Sequence, residues 1–336
     1  MSGSSAGHTG VVVGVDGSDA SFAALAHAAW EADRRGAPLS LVHCYDVAPA
    51  LTALGLGPDP APEQTVAQAA AQLLAELAEQ ARAAYPRLDV ACAVVAGHPG
   101  GCLVQASEHA QLVVVGSRGL GGFTRLRLGS VGAQLAAHSA APVLVIRSGG
   151  EGGPGRAGRD ALGAPPSAGP VVVGVDGLPD SEDAIAFAFD EAAARDVPVV
   201  VLYAWWMLPV SRLQPAGTAT LDPRAEPDLQ RAEEEARRLL AEASAGARAQ
   251  YPGLAVTLLP AHALNPVVAL LEASDGAGLL VVSRHGGNAL TRLLFSSIGD
   301  IAVREASCSV AVVPETSTRE VVGHRSRRTP ASVGVH

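Results

Sequence analysis

Gly116-Ser117-Arg118-Gly119, then nine residues, then Gly129-Ser130 is the stretch of this chain best equipped to hold an anion. It follows directly on Leu112-Val113-Val114-Val115, an apolar run that reads as a buried strand. Glycine lets a backbone approach an anion closely. The N–H groups that open a helix face the anion together with the positive end of the helix dipole. Ser130 adds a hydroxyl donor. A second unusual residue, Asp16, stands at the end of another apolar run, Val11 to Val15. A fuzzier version of the loop recurs near the C-terminus as Ser283-Arg284-His285-Gly286, nine residues, then Ser296-Ser297.

The elements that must position these residues come in two copies. Val11-Val12-Val13-Gly14-Val15-Asp16-Gly17 reappears unchanged as residues 171–177. Tyr85-Pro86-Arg87-Leu88 answers Tyr251-Pro252-Gly253-Leu254, and Ser130-Val131-Gly132 answers Ser297-Ile298-Gly299. A repeat this long is a domain duplication, and half of 336 residues is enough to build a core. The first copy spans 10–147 and the second 170–315. Residues 148–169, nearly all Gly, Ala, Pro, Ser and Arg, read as a flexible linker. Residues 1–9 and 316–336 read as disordered ends.

Within the first copy the pattern predicts strands at 11–15, 39–45, 88–95, 112–116 and 142–146. Helices at 19–35, 66–81, 99–109 and 130–139 alternate with them. The second copy repeats this, with strands near 171–175, 199–204, 254–259, 279–283 and 309–313. Alternation of strands and helices implies an α/β fold: two tandem doubly wound five-stranded parallel sheets of order 3-2-1-4-5. Ligands of such sheets lie beyond the carboxyl ends of the strands, at the switch point between strands 1 and 4. Asp16 and Gly116 both fall there.

Composition narrows the chemistry. There is no lysine, which excludes the Walker phosphate loop and Schiff-base catalysis. A net charge of −9 gives a nucleic-acid partner little support. Cys44, Cys92, Cys102 and Cys308 show no C-x-x-C spacing, and Cys44 and Cys92 read as small buried residues of strands. His43, His98 and His138 lack paired spacing and read as structural. No apolar run is long enough for a membrane span, so no membrane contact and a cytoplasmic location are expected.

At these residues the chain resembles the universal stress protein family, in its tandem two-domain form. The first copy carries the family's nucleotide pattern, Gly116-x-x-Gly119, nine residues, Gly129-Ser130, together with Val13-Gly14-Val15-Asp16-Gly17-Ser18 and Leu41-Val42-His43. The resemblance implies adenine-nucleotide binding: ATP, or AMP or ADP, with Mg²⁺ on the phosphates. It places Asp16 and the backbone of Val15 on the adenosine, and Val42 against adenine, its main chain reading the base edge. Gly116, Arg118 and Gly119 would hold ribose and phosphates, and Gly129, Ser130 and Val131 the phosphate tail. Arg118 is equally readable as a solvated loop residue, and Asp16 as a turn or cap residue.

The resemblance further implies a stress-response regulator with little or no catalysis. Its last strands, Val143-Leu144-Val145 and Val310-Ala311-Val312, would pair domain 1 with domain 2 or form a homodimer. The second copy keeps Asp176, Gly286 and Ser297 but has serine at 283 and 296, and is expected to be a weaker second site. Tyr203, Trp205 and Trp206 at its second strand would narrow the base pocket or stack on a base. The alternatives are a slow ATPase or nucleotidyl-transfer enzyme of the same superfamily, an interaction-only scaffold, or an FMN-binding flavodoxin-like domain.

Overall fold

The computed structural model describes residues 10–46, 60–119, 129–147, 162–163, 166, 168–175, 181–205, 210–213, 219–221, 225–263, 265–284 and 301–315. The first half runs β1 (Val11–Gly14), α1 (Asp19–Arg35), β2 (Leu39–Tyr45), α2 (Pro60–Ala84), β3 (Val90–Ala96), α3 (Pro99–Ser107), β4 (Leu112–Gly116), α4 (Ser130–His138) and β5 (Val143–Ile146). The second runs β6 (Val171–Val175), α5 (Glu182–Arg195), β7 (Val199–Trp205), β8 (Val210–Leu213), β9 (Ala219–Leu221), α6 (Ala225–Ala243), α7 (Ala245–Gln250), β10 (Val256–His262), α8 (Pro266–Ala273), β11 (Leu279–Arg284) and β12 (Ser309–Pro314), with 301–305 helical before β12.

Each half has the expected strand order, β3-β2-β1-β4-β5 and β10-β7-β6-β11-β12. The two sheets are not separate. β5 and β12 pair antiparallel, Val145 opposite Val310 and Val143 opposite Val312, and fuse them into one ten-stranded sheet that is otherwise parallel. The edge expected to serve a homodimer is therefore occupied by pairing inside the chain. Arg147 reinforces this seam, its N–H donating to Ser309 Oγ at 3.2 Å and its Nη2 to the Val303 carbonyl at 2.6 Å. Arg284 donates from Nη1 to the Ser139 carbonyl of the other half.

β1 and β6 carry unbroken apolar runs because both sheet faces are covered. Val11, Val13 and Val15 pack with α1 and α2 residues such as Phe22, Leu25 and Leu74. Val12 packs on the other face with Leu103 of α3 and Leu135 of α4. Gly14 belongs to this packing: a Cβ there would stand 2.9 Å from Leu103 Cδ1. Its counterpart Gly174 meets Leu270 of α8 in the same way, at 2.5 Å.

β3 and β10 each begin two residues later than the sequence pattern suggests. In both copies the Tyr-Pro-x-Leu segment closes a turn first, Leu88 N–H donating to Tyr85 O at 3.0 Å and Leu254 N–H to Tyr251 O at 3.1 Å. The β8–β9 ribbon was not anticipated. Cys92 is exposed rather than buried: it lies on the edge strand β3, where its thiol reaches only the Leu74 carbonyl of α2, at 3.5 Å. Cys44 is half-buried.

Candidate functional site

The crevice beyond β1 and β4 is assembled from three short segments. Asp16 Oδ1 accepts from both the N–H and the Oγ of Ser18, at 3.0 and 2.6 Å. Ser18 in turn caps α1, its Oγ accepting from Ser21 N–H at 3.2 Å. Asp16 thus organises the turn into α1, the structural role that competed with ligand contact in the sequence. Between them Gly17 has φ +87°, a conformation that side chains strain.

The glycine loop closes against this turn. The Ser18 hydroxyl reaches the Arg118 carbonyl at 3.4 Å, and a Cβ on Gly119 would stand 2.4 Å from Asp16 Oδ2. A Cβ on Gly116 would stand 2.6 Å from the Ala20 carbonyl carbon, so α1 itself requires that glycine. None of Gly116, Gly119 and Gly129 has a positive φ. Close approach to protein atoms, rather than left-handed backbone, explains the first two. Buried Ser117 clips the far side, donating from N to Ile146 O and accepting from Gly129 N–H, both at 2.9 Å.

The Gly129 amide is therefore taken by the protein, not free for a phosphate as the family pattern implied. The amides of Ser130, Val131 and Gly132 precede the first intrahelical bond of α4, from Ala133 N–H to Gly129 O at 3.2 Å. Ser130 is exposed, Val131 half-buried against the core, and Arg118 exposed. Arg125 and Arg127 lie outside the described residues, as do Asp176, Gly286, Ser296, Ser297 and Trp206 of the second copy.

Val42 does not stand where the family pattern put it. Odd residues of β2 turn their main chain to β3, as in Leu39 N–H to Asp89 O at 2.8 Å, and even residues turn to β1. The Val42 carbonyl already accepts from Val15 N–H at 2.9 Å, and its side chain is 3% exposed between Leu103 and Val115. The β1 register ends at Gly14 opposite Val42. The next even residue, Cys44, is the first whose main chain faces the crevice past the end of β1. His43 holds the intervening corner: its Nδ1 lies 2.8 Å from the Val15 carbonyl, and since a carbonyl only accepts, Nδ1 carries the proton.

In the second half, Ser283 of β11 takes the place of Gly116. Tyr203 packs into the core, and the Trp205 ring stacks on His262 with centroids 4.5 Å apart.

A second cluster, unread in the sequence, lies between the halves. Glu31 and Glu191, at equivalent places in the repeat on α1 and α5, are both fully buried. Glu31 Oε2 accepts from Arg34 Nε at 3.0 Å and Arg35 Nε at 2.8 Å. Glu191 accepts from Arg34 Nη2, from Arg35 Nη2 at 3.1 Å and from Arg195 Nη2 at 2.5 Å. His27 Nε2 lies 3.2 Å from Arg195 Nη2 and so accepts from it. His27, Glu31 and Glu191 bring ligand-type atoms within 4.8 Å of one another. The Arg195 guanidinium is already seated against two of them, and its charge opposes a cation there.

Burial first, then Arg195, lowers His27 to about 3. Burial, and then the neighbouring Glu191 charge, push Glu31 up to about 7 against the pull of Arg34 and Arg35. Burial alone would raise Glu191, but Arg195 and Arg34 overcome it and hold it at about 2. The pair of carboxyls thus keeps one proton, on Glu31, into the neutral range.

The chain matches the model of the universal stress protein family twice, over residues 9–147 and 168–314. A universal stress protein of Mycobacterium tuberculosis (strain ATCC 25618 / H37Rv) is 34% identical over 314 residues, which are 91% of this chain and 97% of that protein. One from Mycolicibacterium smegmatis is 34% identical over 316 residues, 92% of this chain and 98% of the relative. Among solved structures, a universal stress protein from Archaeoglobus fulgidus has the same fold, with a TM-score of 0.59 at 18% identity over 91% of this chain and 96% of that one.

Proposed function

This chain belongs to the universal stress protein family, with the family's domain present twice, and we propose that its first half binds ATP or a related adenine nucleotide as a regulatory ligand, with little or no catalysis. The observation that carries this reading is the convergence of three separate segments on one crevice: Asp16 to Ser18, Gly116 to Gly119, and the start of α4 at Gly129 to Val131.

In this reading the adenine lies against the open end of β2, beside the main chain of Cys44 rather than Val42. The ribose lies on Asp16 and the Gly116–Gly119 backbone. The phosphates lie ahead of α4, on the Ser130 and Val131 amides and the Ser130 hydroxyl. The exposed α4 start fits an anion, and Mg²⁺ enters with the phosphates as part of that ligand. Arg118 adds positive charge from the loop. Asp16 already accepts two hydrogen bonds from Ser18, which suits it to fix a hydroxyl rather than to move a proton.

The second half binds weakly or not at all and acts as the structural partner. Arg284 supports this, because it ties the second loop to Ser139 of the first half. The bound nucleotide biases the conformation of a cytoplasmic stress-response regulator. Among the described residues no helix is long and apolar enough to cross a membrane.

The test is native mass spectrometry of the gently purified protein, followed by release and chromatography of any small molecule. An adenine nucleotide released from the wild type, and absent from Asp16→Ala, supports the reading. A ligand of another class overturns it.

A further inference from the structure

Cys44 and Cys102 meet at the base end of the crevice. Cys44 is the next-to-last residue of β2, and Cys102 stands in the first turn of α3, its N–H donating to His98 O at 3.1 Å. The Cys102 sulfur lies 2.9 Å from where a Cβ on Gly97 would be. Gly97 itself donates to Tyr45 O at 2.8 Å, so this sulfur sits against the last residues of β2. Cys44 packs on the same face of the sheet as Leu103, the residue that follows Cys102 in α3, and both thiols are half-buried. The repeat supplies a second observation. The counterparts in the other half, aligned through Leu103 and Leu270, are Ala204 and Ala269. The two thiols are therefore present together in the copy with the intact glycine loop and absent together from the other.

We propose that Cys44 and Cys102 are a reversible dithiol that a peroxide closes into a disulfide, re-setting the main chain at the base end of the crevice.

Burial, and the Cys102 sulfur beside it, push the Cys44 thiol up to about 12, which suits Cys44 to resolve an oxidised partner rather than to meet the peroxide. A peroxide transfers one oxygen to the Cys102 sulfur, giving a sulfenic acid and, from hydrogen peroxide, one water. The Cys44 sulfur then attacks that sulfur. The S–S bond forms, the S–O bond breaks, and hydroxide leaves with the Cys44 proton as a second water. Two thiols are oxidised and the peroxide is reduced. Drawing the sulfurs to about 2 Å moves the end of β2 toward α3. The hinge before α3 is Gly97, at φ +143°. The effect on ligand rests on the adenine-nucleotide reading, because the Cys44 main chain is the part of β2 that faces the base.

The test uses the full chain in a Cys92→Ser background, which removes the exposed thiol. The protein is treated with hydrogen peroxide, digested with trypsin without reductant, and titrated with ATP before and after. The expected product is about 2 Da lighter, with peptide 36–82 joined to 88–118. Dithiothreitol reverses it, and Cys102→Ser abolishes it. ATP affinity is expected to fall about tenfold on oxidation, roughly the worth of one well-made hydrogen bond. Accumulation of sulfinic acid at either cysteine, or no joined peptide, overturns the dithiol. A joined peptide with unchanged ATP affinity overturns its coupling to the site. A joined peptide in a protein that never binds ATP leaves the dithiol standing and overturns the nucleotide reading.

Discussion

Replacing Glu31 by glutamine tilts folding stability from level to rising between pH 4.5 and 6.5, and replacing His27 by glutamine tilts it the other way. In the native state Glu31 holds its proton up to about 7, against an ordinary 4.5. Its raised value contributes stability that is fully present below 4.5 and lost as pH rises through 7. His27, held neutral down to about 3 against an ordinary 6.5, contributes stability present above 6.5 and lost as pH falls toward 3. Between 4.5 and 6.5 the native state holds one proton, on Glu31, and the unfolded chain holds one, on the histidine. These two groups then give no slope.

Glutamine at 31 copies the protonated acid, with its carbonyl toward Arg34 and Arg35. It leaves the histidine slope alone, about 1.4 kcal/mol per pH unit and about 3 kcal/mol across the window. His27→Gln leaves the opposite slope, of the same size, continuing to about 7. Glu191, held at about 2, stays ionised throughout the window. Both titrating side chains are nearly fully buried, at 9% and 0% exposed, so solvent screening does not dilute these figures. The assay is urea unfolding at half-unit pH steps, subtracting the wild-type curve from each variant. Parallel curves for all three proteins would refute the shared-proton reasoning.

Three further outcomes follow from the fold. Gly116→Ser, which makes the first loop resemble the second, forces α1 away from β4, because its Cβ would fall 2.6 Å from the Ala20 backbone. It should cost about 1–3 kcal/mol in urea unfolding. Asp196, the exposed left-handed residue ending α5 at φ 55°, occupies the place of Gly36 in the repeat. Asp196→Gly should raise the unfolding free energy by about 0.5–1 kcal/mol. Arg147→Ala removes the bond to the Val303 carbonyl at the seam between halves. It should destabilise by about 1–3 kcal/mol and raise amide exchange in β5 and β12 above that in β1.

Much of the fold was legible because each half repeats one pattern. The valine runs of β1 and β6 require burial on both faces, and Ser18, Gly36 and Pro38 bracket α1. The fusion into one sheet was legible only as a choice, since the Val143–Val145 and Val310–Val312 edges serve equally within a chain or between chains. At the crevice, Asp16 and the glycine loop converge as their spacing implied. Val42 fails because reading a base edge depends on which side of the strand a main chain faces, and that follows from register with β1, not from residue type. The close approach of Gly116 to Ala20 and of Gly119 to Asp16 was not legible for a related reason: what a glycine approaches is set by packing partners far away in sequence. The charge cluster was hidden because Glu31 sits among charged neighbours at the end of α1, where a solvated helix end is the ordinary reading. Only the matched Glu31/Glu191 and Arg35/Arg195 positions in the two copies hint at burial.

Whether the first half holds an adenine nucleotide is decided by calorimetric titration of ATP into the nucleotide-free protein, alongside the double variant Gly129→Ala/Ser130→Ala. Gly129 has φ −79°, and a Cβ there meets only Ser117 O, at an ordinary 3.8 Å. Ser130 is exposed. The variant should therefore fold as the wild type does and differ only toward a ligand. Saturable binding near one ATP per chain is expected in the wild type, and little or no heat in the variant. A wild type that is folded but silent, or a variant that binds equally well, would contradict the adenine-nucleotide reading.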